Sequence, residues 1–220
     1  KVMDTTGADI LRLWVASTDY SGELSISEEI LKRVVESYRR IRNTLRFLLA
    51  NLTDFNPEKD SIPTDDCLEI DRYMLALTVA LQENLTQSYQ HYEFHQAVHQ
   101  LHNFCSEDLG GFYLDILKDR LYTSATHGLP RRSAQTALYH IAHSLVRLFA
   151  PILSFTAEET WEHLTGDTEG SVLLQLWHVF PQQYDVSELQ QRWQSIRTLR
   201  AKVLKKLEDV RTKGEIGSSL

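Results

Sequence analysis

From Ile30 onward, apolar residues return every three or four positions: Ile30, Val34, Tyr38, Ile41, Leu45, Leu48 and Leu52. That spacing places them on one side of an α-helix. It predicts about 25 helical residues, or roughly 37 Å. Ser25 and Glu28 have the spacing of a capping box, with Ser27 as a competing N-cap. The pattern also fits a coiled coil but lasts barely three heptads, so it is read as a bundle helix. Upstream, ADILRLWVA at 8–16 is a short apolar helix followed by a polar loop. Downstream, residues 53–66 form a connection containing Pro57 and Pro63. Helices follow over about 67–90 and 92–106. Adjacent Gly110 and Gly111 are expected to interrupt or bend the helix before further helical turns in YLDILKDRLY. HGLP at 127–130 is a stop signal, Pro130 also suits the start of the next helix over 131–150, and Pro151 ends that helix. Ser154 or Thr156 caps a short helix through Leu164. Residues 165–186 read as loop, with SVLLQLW as a short extended piece. The last helix, about 187–213, sets Trp193, Ile196, Leu199, Val203, Leu207 and Val210 against Lys202, Lys205, Lys206 and Lys213. The fold class is all-α: an antiparallel helix bundle with a basic C-terminal helix.

Composition supports this reading. The 220 residues include 42% hydrophobic positions but only nine Gly and five Pro, which suits long helices and disfavours disorder or a turn-rich β fold. No apolar run reaches membrane-spanning length. Cys67 and Cys105 form neither a disulfide framework nor a paired-cysteine zinc site, and a reducing cytosol is the expected compartment.

Charge changes the picture more. The net charge is −7, which argues against a generic nucleic-acid binder, but the cations are concentrated. Residues 30–46 hold Lys32, Arg33, Arg39, Arg40, Arg42 and Arg46 against Glu36 alone. Residues 192–213 hold eight basic residues against Glu208 and Asp209. Segregation of this kind suits one face for a polyanion and another for solvent or a partner; the bland alternative is the solvated side of two helices. At 100° per residue, Lys32, Arg39 and Arg46 form one strip about 21 Å long, opposite the apolar stripe. Arginine adds the bidentate geometry that suits phosphate.

Other chemistry is poorly represented. His91, His95, His99 and His102 are spaced to share one helix face with Cys105 nearby, but no Glu stands three residues before any histidine, as a di-metal bundle requires. Glu158, Glu159 and Glu162 read as a solvated acidic face. The four tryptophans read as core packing. No glycine-rich phosphate loop or nucleophile elbow occurs, and no residue is assigned as catalytic or metal-binding.

Several stretches taken together resemble the bacterial-type isoleucyl-tRNA synthetases of class I. These are GADILRLWVASTDYSGELSIS at 7–27, YRRIRNTLRFLLANLTDF at 38–55, YEFHQAVHQLHNFC at 92–105 and DLGGFYLDILKDRLY at 108–122. RRSAQTALYHIAHSLVRLFAPILSFTAEETWEHL at 131–164 and LRAKVLKKLEDVRTKGEIGSSL at 199–220 complete the set. Valyl-, leucyl- and methionyl-tRNA synthetases share the GAD-x-LR start and the bundle plan. The wording of DYSGELSIS followed by YRRIRNTLRFLL favours the isoleucyl branch.

The resemblance implies a fragment. The His-Ile-Gly-His and Lys-Met-Ser-Lys-Ser signatures, the editing domain and the cysteines of a C-terminal zinc module are absent, and the chain is expected to begin just past the second signature. Residues 1–24 would link to the catalytic core, 25–185 would form the anticodon-binding bundle, and 186–220 would begin a C-terminal junction helix. The expected partners are tRNA(Ile) and the catalytic and C-terminal domains of the same chain, in a cytoplasmic monomer. ATP, Mg and zinc would belong to the parent's other parts. On charge and geometry, Lys32, Arg39, Arg40, Arg42, Arg46, Arg197, Arg200, Lys202, Lys205 and Lys206 are the candidate tRNA-backbone contacts. Arg72, Arg120, Arg131 and Arg132 are lesser ones, since Asp71 and Asp119 stand beside two of them. The readings that compete are a helical scaffold whose basic faces meet an acidic protein, the anticodon domain of a valyl-type enzyme, and a metalloprotein built on the histidine ladder.

Overall fold

Ser27 starts the longest early helix by accepting a hydrogen bond from the Ile30 amide at 3.2 Å, with Glu28 and Glu29 in the first turn, where the helix dipole favours acids. The cap is thus Ser27 rather than Ser25. A computed structural model describes residues 2–182 and 186–217. It contains α1 (Val2–Thr6), α2 (Ala8–Ser17), α3 (Glu28–Ala50), α4 (Pro57–Asp60) and a 3-10 turn at Thr64–Asp66. Next come α5 (Glu69–Gln90), α6 (Phe94–Asn103), a π-helical segment (Phe104–Tyr113), α7 (Leu114–Thr123), α8 (Leu129–Phe149) and α9 (Ser154–Thr165). A 3-10 turn at Val172–Leu174 precedes α10 (Val186–Thr212). No strand occurs among the described residues, and the fold is an all-α bundle.

Helix α8 is its axis. Nearly every residue from Arg132 to Phe149 is buried, and α3, α5, α7 and α9 pack around it. From α3 come Ile41, Leu45 and Leu48, from α5 Met74, Leu75 and Leu85, and from the α6–π–α7 rod Leu101, Leu109 and Leu117. Helix α2, within the stretch expected to act as a linker, gives Ile10 and Leu13 to the same core. The boundary expected after residue 185 falls at residues 183–185, outside the described ones.

Two polar hubs pin the connections. Asp71 is fully buried; it accepts from Tyr113 Oη at 2.7 Å and from both terminal nitrogens of Arg120 at 2.9 and 2.6 Å, and Ser133 also donates to it. Arg132, only 4% exposed, ties the 51–66 connection to α8 through the Asp54 carbonyl at 3.1 Å and Asp60 at 3.2 Å.

The α-helix is interrupted at the adjacent glycines, by a π segment and not by a loop. Helix α6 runs into α7 through the π segment, whose exit bond goes from the Leu114 amide to the Leu109 carbonyl, five residues back. A Cβ on Gly110 or Gly111 would lie 3.1 or 3.3 Å from the carbonyl oxygen of Cys105 or Ser106, a tight approach that glycine avoids in the wide turn. Two further expectations change. The amides of Phe155 and Thr156 are capped by Asp9 of α2, at 3.4 and 2.8 Å, not by Ser154 or Thr156. SVLLQLW begins as a 3-10 turn and is not wholly extended.

Candidate nucleic-acid interface

The cations of α3 divide by their partners. Arg33 pairs with Glu29 one turn back, and Arg39 pairs with Glu36 at 2.7 Å. Arg42 makes a two-pronged bond to Glu159 of α9 at 2.9 and 3.0 Å, and it also donates to Tyr38 Oη at 3.2 Å. The Glu159 bonds come first among the causes that raise its pKa above the usual arginine value. Lys32, Arg40 and Arg46 are exposed and have no ion-pair partner among the described residues.

Between α3 and the α6–π–α7 rod lie two hollows that share Arg40. One, of about 480 Å³, is bordered by Lys32, Arg33, Arg40 and His102, with Glu29 and Glu36 on its wall. The other, of about 290 Å³, lies between Arg40, Asn43 and Phe47 on one side and Ser106, Gly110 and Lys118 on the other.

Helix α10 docks on α5 and on the π segment, through a face that the periodicity does not reveal. Leu189 is buried, Trp193 stacks on Tyr73 with centroids 5.5 Å apart, and its indole donates to Glu69 at 2.9 Å. Arg197 pairs with Asp108 at 2.6 Å and donates to Tyr73 Oη at 3.2 Å. Burial opposes the Arg197 charge, but those two bonds outweigh it and the pKa is raised. Arg200 donates to the Gly111 carbonyl at 3.2 Å, and both guanidinium groups lie over Phe112, at 4.9 and 5.6 Å. Leu189, Trp193, Arg197 and Arg200 therefore make the docking face. Ile196, Leu199, Val203 and Leu207 stay exposed. Lys202, Lys205 and Lys206 are exposed without an ion-pair partner among the described residues.

The lesser candidates are mostly structural. Arg120 belongs to Asp71 rather than to its neighbour Asp119, Arg131 pairs with Asp54 at 2.8 Å, and Arg132 is buried. Arg72 is also engaged. The histidine ladder is broken, because α5 ends before His91 and a turn through Tyr92, at φ 59°, separates it from α6. No group of three or more His, Cys, Asp or Glu is placed to hold a metal among the described residues.

A different histidine group has formed. His140 Nδ1 and His178 Nε2 are 2.9 Å apart, and the His143 ring stacks on His178 at 5.7 Å. Burial lowers His140 and His143 to about 4 and His178 to about 3. Only the spacing of His140 and His143 on one helix hinted at it. Burial also pushes the Cys67 thiol up to about 11 and that of Cys105 up to about 12, so neither is a ready nucleophile.

A family profile described as the anticodon-binding domain of tRNA ligase matches residues 71–220. The chain is 70% identical over its whole length to part of an isoleucine–tRNA ligase of Nitrosomonas europaea, covering 24% of that protein. It is 64% identical, again over its whole length, to 24% of the isoleucine–tRNA ligase of Thiobacillus denitrificans. The chain thus spans about a quarter of the length of these curated relatives. Among solved structures it is similar to a LeuRS of Agrobacterium radiobacter K84 in a ternary complex with tRNA and LeuAMS. The TM-score is 0.56 at 19% identity, covering 86% of this chain and 21% of that one, a likeness of fold.

Proposed function

Because the chain belongs to the family of anticodon-binding domains of tRNA ligases, we propose that it holds the anticodon arm of tRNA(Ile) for an isoleucine–tRNA ligase. It supplies position and not chemistry. The parent would activate isoleucine with ATP and Mg and transfer it to the tRNA. Those ligands, and a zinc held by a C-terminal module, belong in this reading to parts of the protein outside this chain.

The observation that carries the reading is the division of α3, where Lys32, Arg40 and Arg46 stand free on a helix that Ile41, Leu45 and Leu48 fix rigidly to the core. Unpaired cations on a rigid scaffold release counterions when phosphates bind. The free Lys202, Lys205 and Lys206 of α10 extend the cationic surface. Arg39 and Arg42 would join by exchanging a carboxylate for a phosphate, whereas Arg197 and Arg200 would contribute by orienting α10.

The catalytic and C-terminal parts of the same protein are the proposed covalent neighbours. An apolar hollow of about 580 Å³ beside α2, lined by Leu11, Val15, Tyr20, Phe94 and Pro151, offers such a neighbour a seat. A cytoplasmic monomer fits this role, and no described helix is long and apolar enough to cross a membrane.

The test is a titration of the chain against tRNA(Ile) and a valine tRNA at two salt concentrations. Tighter, salt-sensitive binding to tRNA(Ile) is expected. Binding to neither would overturn the claim that these basic helices suffice and would favour a scaffold that meets an acidic protein.

A further inference from the structure

Resting on the RNA-holding reading, we propose that the hollow between α3 and the π segment takes one unpaired nucleotide, with its base inside and its flanking phosphates on Arg40 and Lys118.

Three observations meet there. The first is a glycine in the wall, between Ser106 and Leu114. Gly110 is exposed, and with no side chain there the backbone lies open to a flat ligand. The hollow measures about 290 Å³, at the lower end of the range of ~300–1,000 Å³ usual for small-molecule sites, and it lies open along the groove.

The second is the lining. Phe47, partly buried, offers ring surface for stacking. Asn43 is exposed with its side-chain amide unbonded among the described residues, and an amide both donates to and accepts from a base edge. The Ser106 hydroxyl is already committed to the His102 carbonyl, which leaves its lone pairs as acceptors.

The third is charge. Arg40 borders both hollows and is unpaired, while Lys118 is held only by an exposed pair with Asp115 at 3.0 Å, which a phosphate can displace. Two cations, a neutral amide and the Phe47 ring suit a nucleotide, and Asp115, which also lines the hollow, is the carboxylate that a phosphate displaces from Lys118.

The experiment uses two RNA hairpins, the anticodon stem-loop of tRNA(Ile) and the same hairpin with its three anticodon bases removed. The chain as it stands should prefer the intact loop. Asn43→Ala sits on an exposed helical position where alanine favours the helix, and circular dichroism checks its fold. It should cut that preference by about five- to tenfold, the scale of one good base-edge contact, while keeping the salt slope. Lys32→Ala with Arg46→Ala should instead weaken both hairpins alike and flatten the slope. An Asn43→Ala variant with unchanged preference, or with both hairpins weakened equally, overturns the nucleotide site. So does a wild-type chain that binds both hairpins equally, although it leaves the phosphate-holding role intact. No binding of either hairpin overturns the site and the RNA-holding reading together.

Discussion

Arg197 of α10 meets Asp108 of the π segment at 2.6 Å, with its guanidinium 4.9 Å from the centre of the Phe112 ring. A cation that charge alone assigns to an RNA phosphate is therefore a rivet between two elements. Arg197→Ala removes a charged hydrogen bond and a ring contact at a side chain only 23% exposed. It should cost about 2–3 kcal/mol of unfolding free energy. Lys205→Ala, on the free side of the same helix, should stay within about 0.5 kcal/mol of wild type. Urea denaturation of both variants checks this, and equal midpoints would remove Arg197 from the docking role.

Asp71 concentrates more risk than any surface pair, because it is fully buried and Arg120, 16% exposed, depends on it. Asp71→Asn leaves that guanidinium without a counter-charge, and it should destabilise the fold by about 3–5 kcal/mol. Replacing Lys118 by Ala removes an exposed pair and should cost no more than about 1 kcal/mol. A thermal unfolding series that ranks the two variants the other way would contradict the hub.

What the sequence makes legible follows from period and charge. Ile41, Leu45 and Leu48 are buried as their spacing requires, and the helices of α3, α5 and α8 lie close to where the pattern puts them. The glycine pair marks where the α-helix gives way, but a helix-breaking propensity does not say that the interruption is a π segment and not a loop. The docking face of α10 is not legible because amphipathicity reports which residues are apolar, not which are docked: the helix is held by Trp193 and two arginines, while Leu199 and Val203 face solvent. Of the candidate cations, the sequence cannot sort paired from free, since Glu159 reaches Arg42 across 117 positions. Asn43 and Lys118 escaped notice because nothing local distinguishes them from other surface residues.

The histidine group gives stability a pH dependence of defined sign. His140, His143 and His178 have pKa values lowered from 6.5 to about 4, about 4 and about 3. Burial is the first cause for all three. The neighbouring Arg147 adds repulsion to His143 and His178, and His140 adds to it as well. A group depressed in the folded state is protonated first in the unfolded chain, so stability is complete above pH 6.5 and falls as pH drops toward 4. His178 also holds the 175–182 segment, where its carbonyl accepts from Gln82 at 2.8 Å and Trp177 stacks on Tyr89. Urea midpoints should decline from pH 7 to pH 5, and His178→Gln should flatten that decline. A slope unaltered by His178→Gln would exclude this cluster as its source.

Arg42 and Glu159 give the sharpest test of exchange between carboxylate and phosphate. Their side chains are 42% and 51% exposed, so the pair contributes little to stability, about 0–1 kcal/mol. Its effect on a polyanion is larger, because Glu159 both occupies Arg42 and repels phosphate. Removing one negative charge some 6 Å from a phosphate through water is worth about 0.7 kcal/mol, or roughly threefold in affinity. Glu159→Gln should therefore bind tRNA(Ile) about threefold more tightly at low salt, with the gain vanishing near 1 M, where the screening length is about 3 Å. Glu162→Gln makes the same charge change one helical turn away, on an exposed residue with no ion-pair partner among the described residues. It should give a clearly smaller gain. Equal gains from both variants would mean that only net charge had been measured, and Arg42 would lose its place among the residues that meet the RNA.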